Sequence, residues 1–476
     1  MTLASTLIVQ GGTLVTPDGL VQAAMLIEGE RIAAIGRDLE APGAQVLDAT
    51  DCLVLPGVID AHTHIALDTG VYKTPDDWFT GTRAAACGGV TTVVDFATQF
   101  PGQTLRQAVE TRLAEAQDAA IDYALHVMVT DLPPGREREL ADLAELGVSS
   151  VKLYTTYRPG MGDPPGRPCY YADDATILRL MTACAESGIR VLVHCEDDAL
   201  VTAQTEALVA AGKTGWSHHG QSRPALAEEE AVQRVLSLAE KARCPVHIVH
   251  CSTARSVELV AEARVRGQTV SCETCPQYLV LDNRAYAGPD PWRFILQPPL
   301  RDPGEPERLW ALVAQGTVDQ IATDHCDYTV AQKTAADDFT RTPGGLPGVE
   351  TLLPLVYTYG VAAGHLTLAQ LATLLASNPA RLWGPWPRKG VLAPGADADL
   401  VIYDPRPEGV IRAADLHHLA GYTPYEGLHV QGCVRATIAR GQAVYEDGHF
   451  TGSRGWGRFV NRTEIHPPCP ILPPGV

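Results

Sequence analysis

The segment Asp60-Ala-His62-Thr-His64 sets two imidazoles two residues apart at the end of the apolar run Val54-Leu-Pro-Gly-Val-Ile59. In an extended strand, period-two geometry turns both rings to one side, as two ligands of a single ion require. Alone, a His-x-His pair carries little weight. Three further apolar runs end in the same manner: Val191-Leu-Val-His194, Val246-His-Ile-Val-His250 and Ile321-Ala-Thr-Asp324. Each by itself has a plainer explanation, since a strand-ending His is commonly a hydrogen-bonded core residue and a strand-ending Asp commonly caps the next helix. Four histidines and an aspartate at the same end of four strands together form a metal constellation.

Neighbouring histidines serve as internal controls. His247 lies an odd number of residues before His250 and is expected to face the other side of the strand as a structural residue. His325, directly after Asp324, is expected to turn away as a supporting or loop residue. His218 and His219 fall in a polar connection and read as solvated. A closed structural zinc site fits poorly, because its ligands would cluster as local Cys and His pairs.

Such ligands need a scaffold that brings many strand ends to one place. Short β-branched runs alternate with amphipathic helical stretches through most of the chain, the pattern of repeated βα units on a parallel sheet. Eight candidate strands fall near 58–64, 90–97, 123–129, 149–154, 189–195, 245–251, 268–274 and 318–324, with helices between them at 173–187, 225–242, 252–266 and 306–315. Eight repeats suggest an α/β fold closed as a (β/α)8 barrel. An open doubly wound sheet alternates in the same way, and repeat count alone does not separate the two. Both chain ends read as short alternating strands, near 7–53 and again from Ala398-Asp-Leu-Val-Ile-Tyr onward, and are expected to pair into one small β-sandwich. The expected domains are 1–53 and 390–450 for the sandwich, 54–389 for the barrel and 451–476 for a C-terminal tail. The proline-rich end, 467–476, reads as extended, and the cluster 160–166 as a lid candidate or a plain surface loop.

Composition narrows the partners. With 476 residues the chain can bury a large core and carry an accessory domain. A formal net charge of −19 argues against a nucleic-acid partner, whose phosphates call for clustered Lys and Arg. The start lacks a secretory pattern, and no stretch is long and apolar enough to span a bilayer, so a cytoplasmic protein is expected. The 12 cysteines, several inside apolar runs, read as buried free thiols.

Taken in order, His62-Thr-His64, Ser150-Val-Lys152-Leu-Tyr, His194-Cys-Glu, His250-Cys-Ser, Cys272-Glu-Thr-Cys-Pro-Gln-Tyr-Leu, Pro298-Pro-Leu-Arg, Thr323-Asp324-His-Cys, Gln332-Lys and Asn378-Pro-Ala-Arg resemble the hydantoinase, dihydropyrimidinase and allantoinase branch of the amidohydrolase superfamily. The resemblance covers nearly the whole chain. It implies two divalent metal ions, usually zinc, and carbon dioxide captured on Lys152 as N6-carboxylysine bridging them. From spacing alone Lys152 is an ordinary strand-end lysine. By the same pattern His62, His64, Lys152 and Asp324 would hold one metal, and Lys152, His194 and His250 the other. A metal-activated water would attack the ring carbonyl, Tyr157 would polarise its oxygen, and Asp324 would shuttle the proton. Tyr154 is the nearby competitor for the Tyr157 role.

Two positions depart from the hydantoinase pattern: Gln297 stands where it has serine, and Gly344 where it has asparagine. Both belong to the expected substrate-binding set with Tyr157, and in the family they act largely through backbone groups. The implied reaction opens a hydantoin or dihydropyrimidine, a small cyclic amide, to an N-carbamoyl amino acid. Allantoinase or another cyclic ureide hydrolase is the alternative within the same chemistry. A non-catalytic assembly protein of the same fold is the alternative outside it, although this chain keeps every expected ligand. The resemblance implies a homotetramer, with a homodimer as the smaller assembly. The loops 63–73, 154–171 and 325–348 are expected to shape the pocket.

Overall fold

The computed structural model describes residues 6–158 and 166–462. The lid candidate, apart from its last residue, and the stretch 467–476 lie outside them. Eight parallel strands follow one another around a barrel in chain order: Val58–Thr63, Val90–Thr98, Asp122–Met128, Ser150–Tyr154, Arg190–His194, Val246–Ile248, Val270–Thr274 and Gln320–Ile321. Closure comes at the seam between first and last. There Thr63 bridges His325 in parallel register, and the Thr323 N–H and hydroxyl donate to Asp60 at 3.1 and 2.5 Å. The fold is therefore the closed barrel, and the open sheet is excluded.

Local chemistry explains the alternation. The second strand, Val-Thr-Thr-Val-Val-Asp-Phe-Ala-Thr, is β-branched and buried along nearly its whole length, as a strand covered on both faces must be. Two of the helices begin where a side chain satisfies a free N–H group: Asp173 accepts from Thr176 N at the head of Asp174–Glu186, and Thr253 from Ser256 N at the head of Ala254–Val265. Two strands stop earlier than their apolar runs predict. His250 (φ 39°) and Asp324 (φ 53°) leave the extended region, so the sixth and eighth strands end before these two candidate ligands.

The two chain ends do meet. Leu400–Val410 pairs antiparallel with Leu53–Pro56, placing the strand that feeds the barrel in the middle of a seven-stranded sheet. A four-stranded sheet, ordered Arg31–Gly36, Ala24–Glu28, Thr6–Gln10 and Gln45–Asp48, shares its core with that sheet through Leu7, Met25, Ile27, Leu14, Leu400 and Ile438. Barrel and sandwich are tied by a buried ion cluster. Lys389 Nζ lies 2.7 Å from Asp122 at the foot of the third barrel strand and 2.6 Å from Asp399, and Arg440 also pairs with Asp122 at 3.0 Å. Every cysteine among the described residues is unpaired, and all but Cys169 and Cys433 are buried, so the thiols serve as small apolar side chains.

Candidate metal centre and its cavity

His62, His64, Lys152, His194, His250 and Asp324 converge at the C-terminal end of the barrel strands. Nε2 of His62 and Nε2 of His64 lie 3.1 and 3.2 Å from the same oxygen, Asp324 Oδ1. Lys152 Nζ lies 3.1 Å from His62 Nε2. The His250 ring packs against that of His194, with centroids 4.5 Å apart, and sits 5.6 Å from that of His62. Three elements of this group, Tyr157 (φ 71°), His250 and Asp324, hold left-handed backbone, a conformation that costs a non-glycine residue about 1–3 kcal/mol and tends to cluster at functional sites.

Electrostatics suit divalent ions. Burial brings the Lys152 amine down to about 8, so an appreciable fraction is the neutral form that reacts with carbon dioxide. Burial, reinforced by Lys152, holds His194 well below the ordinary imidazole value, and burial with His194 beside it does the same for His250, leaving neutral rings with free lone pairs. His62 and His64 hold the Asp324 carboxyl well below the usual range despite its burial. Donor atoms of His62, His64 and Asp324 all lie within 4.8 Å of one another. Nδ1 of His64 and Nδ1 of His250 are buried without a hydrogen-bond partner. This donor set fits metal ions.

Glu273 on the seventh strand supports the group. It accepts from Nδ1 of His62, lies 3.2 Å from Nε2 of His247, accepts from the Gln320 amide at 2.6 Å and takes the backbone N–H of His250 at 3.2 Å. A carboxylate on Nδ1 fixes the tautomer that frees His62 Nε2. His247 thus points into the barrel interior: the parity argument fails because the strand ends at Ile248, before His250. Glu196 plays a similar part for His194, at 2.8 Å from its Nε2, and is itself paired with Arg223. Sequence reading assigned no role to Glu273, Glu196 or Arg223. For Glu273 the signal was its place in the quoted Cys-Glu-Thr-Cys motif.

His325 turns away from the ligands. Its Nδ1 accepts the N–H groups of Gly348 and Val349, so Nε2 carries the proton, aimed at Asp76 and Asp327, 3.7 and 3.8 Å away. There it faces two carboxylates, apart from the His62, His64 and Asp324 group. His219 corrects an expectation: it is buried rather than solvated, brought down to about 3 by burial, and its Nε2 holds the Leu296 carbonyl at 2.7 Å. His218 is half-buried.

A cavity of about 720 Å³, large enough for a drug-sized molecule, opens over Lys152, His194, His250 and Asp324. Leu67 and Tyr72, Tyr154, Tyr157 and Tyr170, and Tyr328 with residues 340–346 wall it, with Gln277, Leu296 and Gln297 beside them. Tyr154 and Tyr157 both face it, but the Tyr154 hydroxyl is engaged with the Met128 sulfur at 2.8 Å. That of Tyr157 has no hydrogen bond among the described residues, and its ring lies 5.1 Å from that of His194. Lys333, the lysine of the Gln332-Lys pair, is buried, and its Nζ donates to Ile295 O at 2.7 Å and Pro343 O at 2.9 Å. It fastens together the two segments that carry Gln297 and Gly344.

Residues 53–444 match the amidohydrolase family. The chain is 40% identical over 468 residues to a D-phenylhydantoinase of Escherichia coli O9:H4 (strain HS), covering 97% of this chain and 99% of that one. Among solved structures it resembles dihydropyrimidinase from Brevibacillus agri NCHU1002, with a TM-score of 0.93, 36% identity and coverage of 97% and 100%. It also resembles L-hydantoinase (dihydropyrimidinase) from Arthrobacter aurescens, with a TM-score of 0.88, 30% identity and coverage of 96% and 100%.

Proposed function

The chain belongs to the hydantoinase and dihydropyrimidinase group of the amidohydrolase family, and from that premise we propose that it opens a hydantoin or dihydropyrimidine ring to an N-carbamoyl amino acid. It is a cyclic amidohydrolase acting on a small molecule. The observation that carries the finer reading is the convergence of Lys152, His62, His64 and Asp324 at the floor of the cavity.

We assign two divalent ions, zinc by preference, to this floor: one held by His62, His64, Lys152 and Asp324, the other by Lys152, His194 and His250, with Lys152 as N6-carboxylysine. When bound, such ions supply Lewis-acid polarisation of the carbonyl and a lowered pKa for water. The protein's own groups do the rest. The Tyr157 hydroxyl donates to the oxygen of the scissile amide as negative charge gathers there. Asp324 accepts a proton from the attacking water and returns it to the ring nitrogen as the C–N bond breaks, so that water supplies the new carboxyl oxygen and the N–H proton, its second proton passing to solvent as the acid ionises. Leu67, Tyr72 and Leu296 line the cavity and exclude bulk water from the reacting amide.

We further assign residues 54–389 to the catalytic barrel, 1–53 and 390–450 to the sandwich, and 451–476 to a tail, in a cytoplasmic homotetramer. No helix among the described residues is long and apolar enough to cross a membrane. Turnover of dihydrouracil, phenylhydantoin and allantoin, with and without chelator, tests the function. Hydrolysis of either of the first two, lost on chelation, is expected. Allantoin alone as substrate would move the chain to ureide hydrolysis, and inactivity on all three by metal-loaded protein would leave the non-catalytic reading.

A further inference from the structure

Gln297 and Gly344 occupy one space between them. A Cβ placed on Gly344 would overlap the Gln297 carboxamide, with Nε2 at 2.5 Å and the other two atoms nearer still. Backbone conformation does not require this glycine, since Gly344 lies outside the left-handed region, whereas Gly345 beside it has φ 152°. What excludes a larger residue is the glutamine side chain.

The backbone on either side of that side chain is held in place, while the carboxamide itself is left unengaged. Lys333 pins Ile295 O and Pro343 O together, Gly345 N donates to Ile295 O at 3.1 Å, and His219 holds Leu296 O. The carboxamide itself makes no hydrogen bond with any described residue, and Gln297 and Gly344 both line the cavity over Lys152 and Asp324. A primary amide offers a donor and an acceptor side by side, the complement of a –C(=O)–NH– edge.

We propose that Gln297 reads the amide edge of the substrate ring, with its Nε2–H donated to a ring carbonyl and the adjacent ring N–H donated to Oε1, and that Gly344 is glycine to make room for this carboxamide. The two departures from the hydantoinase pattern are then one coupled change, in which a side chain takes over recognition. The inference rests on the cyclic-amide reading of the site.

Metal-loaded variants test it on phenylhydantoin, dihydrouracil and hydantoins methylated in turn at each ring nitrogen. Gln297→Met keeps the bulk and removes the amide; kcat/KM should fall about 10-fold, chiefly through KM, as expected for two hydrogen bonds to a neutral group. Gly344→Ala should fold normally by displacing a flexible side chain and reproduce that loss. In a Gln297→Ser background the same Gly344→Ala change should cost nothing further, because the overlapping group is gone. Methylation at the nitrogen that is read should abolish the difference between wild type and Gln297→Met. The proposal is overturned by a Gln297→Met enzyme equal to wild type on every ring, by a penalty that follows the ring substituent instead of the ring nitrogen, or by Gly344→Ala harming both backgrounds alike. Wild-type protein inactive on all cyclic amides would instead sink the proposed function, so the two failures are distinct.

Discussion

Lys152 Nζ and His62 Nε2 stand 3.1 Å apart in a pocket where neither residue is more than 1% exposed. Two basic nitrogens this close resist being protonated together, and burial penalises the ammonium further. Burial above all, with this neighbour beside it, raises the share of uncharged amine, the form that can take up carbon dioxide.

Metal reconstitution should depend on pH in a defined direction. With the Lys152 amine brought down to about 8, its neutral fraction rises as pH passes through that value and levels off above it. Protein stripped by chelator and returned to zinc at fixed dissolved carbon dioxide should regain activity at a rate that follows the same rise. Lys152→Ala should lose at least about 100-fold in metal affinity and recover no activity. A rate falling with pH would contradict this account of the lysine.

Tyr157→Phe should lower kcat by about 10²–10³ with little change in KM, the usual cost of losing one donor to a developing oxyanion. Tyr154→Phe loses only the contact of its hydroxyl with the Met128 sulfur and should keep most activity. Burial raises the Tyr157 hydroxyl above its ordinary value, so ionisation of this group should not produce an alkaline loss of kcat below about pH 10. Steady-state kinetics of the two variants decide the assignment, and equal losses would reject it.

Glu273→Gln preserves shape but removes the charge that His62 and His247 share. Zinc affinity, measured by competition with a chromophoric chelator, should weaken by about 10–100-fold, the common effect of losing a carboxylate behind a metal-binding histidine. Unchanged affinity would reduce Glu273 to a packing residue.

Lys389→Met should destabilise the protein by about 3–5 kcal/mol, because Asp399 would remain buried without a cation while Asp122 keeps only Arg440. The loss should appear as a lower thermal midpoint and shrink when Asp399→Asn is added. A midpoint matching wild type would show that Arg440 alone carries the joint between barrel and sandwich.

Much of this was legible in the sequence because strand periodicity and ligand type coincide. The four histidines and Asp324 sit where apolar runs end, and a parallel barrel brings such ends together whatever lies between them. Lys152 escaped that logic, since a lysine near the end of a strand is ordinary until burial is known. His247, read as structural, bonds to Ser271 and Glu273, but its expected facing failed because the alternation rule holds only inside a strand, and the chain turns left-handed at His250. His219 looked polar from its neighbours, while tertiary contact with Leu296 buries it. The coupling of Gln297 to Gly344 could not be read at all. The two lie 47 residues apart in the chain, and only the fold sets one against the other.

The seam that closes the barrel joins Asp60 to Thr323, 263 residues later. His64 and Asp324 flank that seam, one from each side. During synthesis His62 and His64, the first two assigned ligands, leave the ribosome long before the last strand exists, and the chain then carries a partial set of donors with no wall to complete it. On that assignment, capture of both ions would be a late event, following the docking of the final strand against the first. Acquisition of catalytic activity by the nascent protein would report closure of the barrel itself, and mutations at Asp60 or Thr323 would delay maturation without touching any metal ligand.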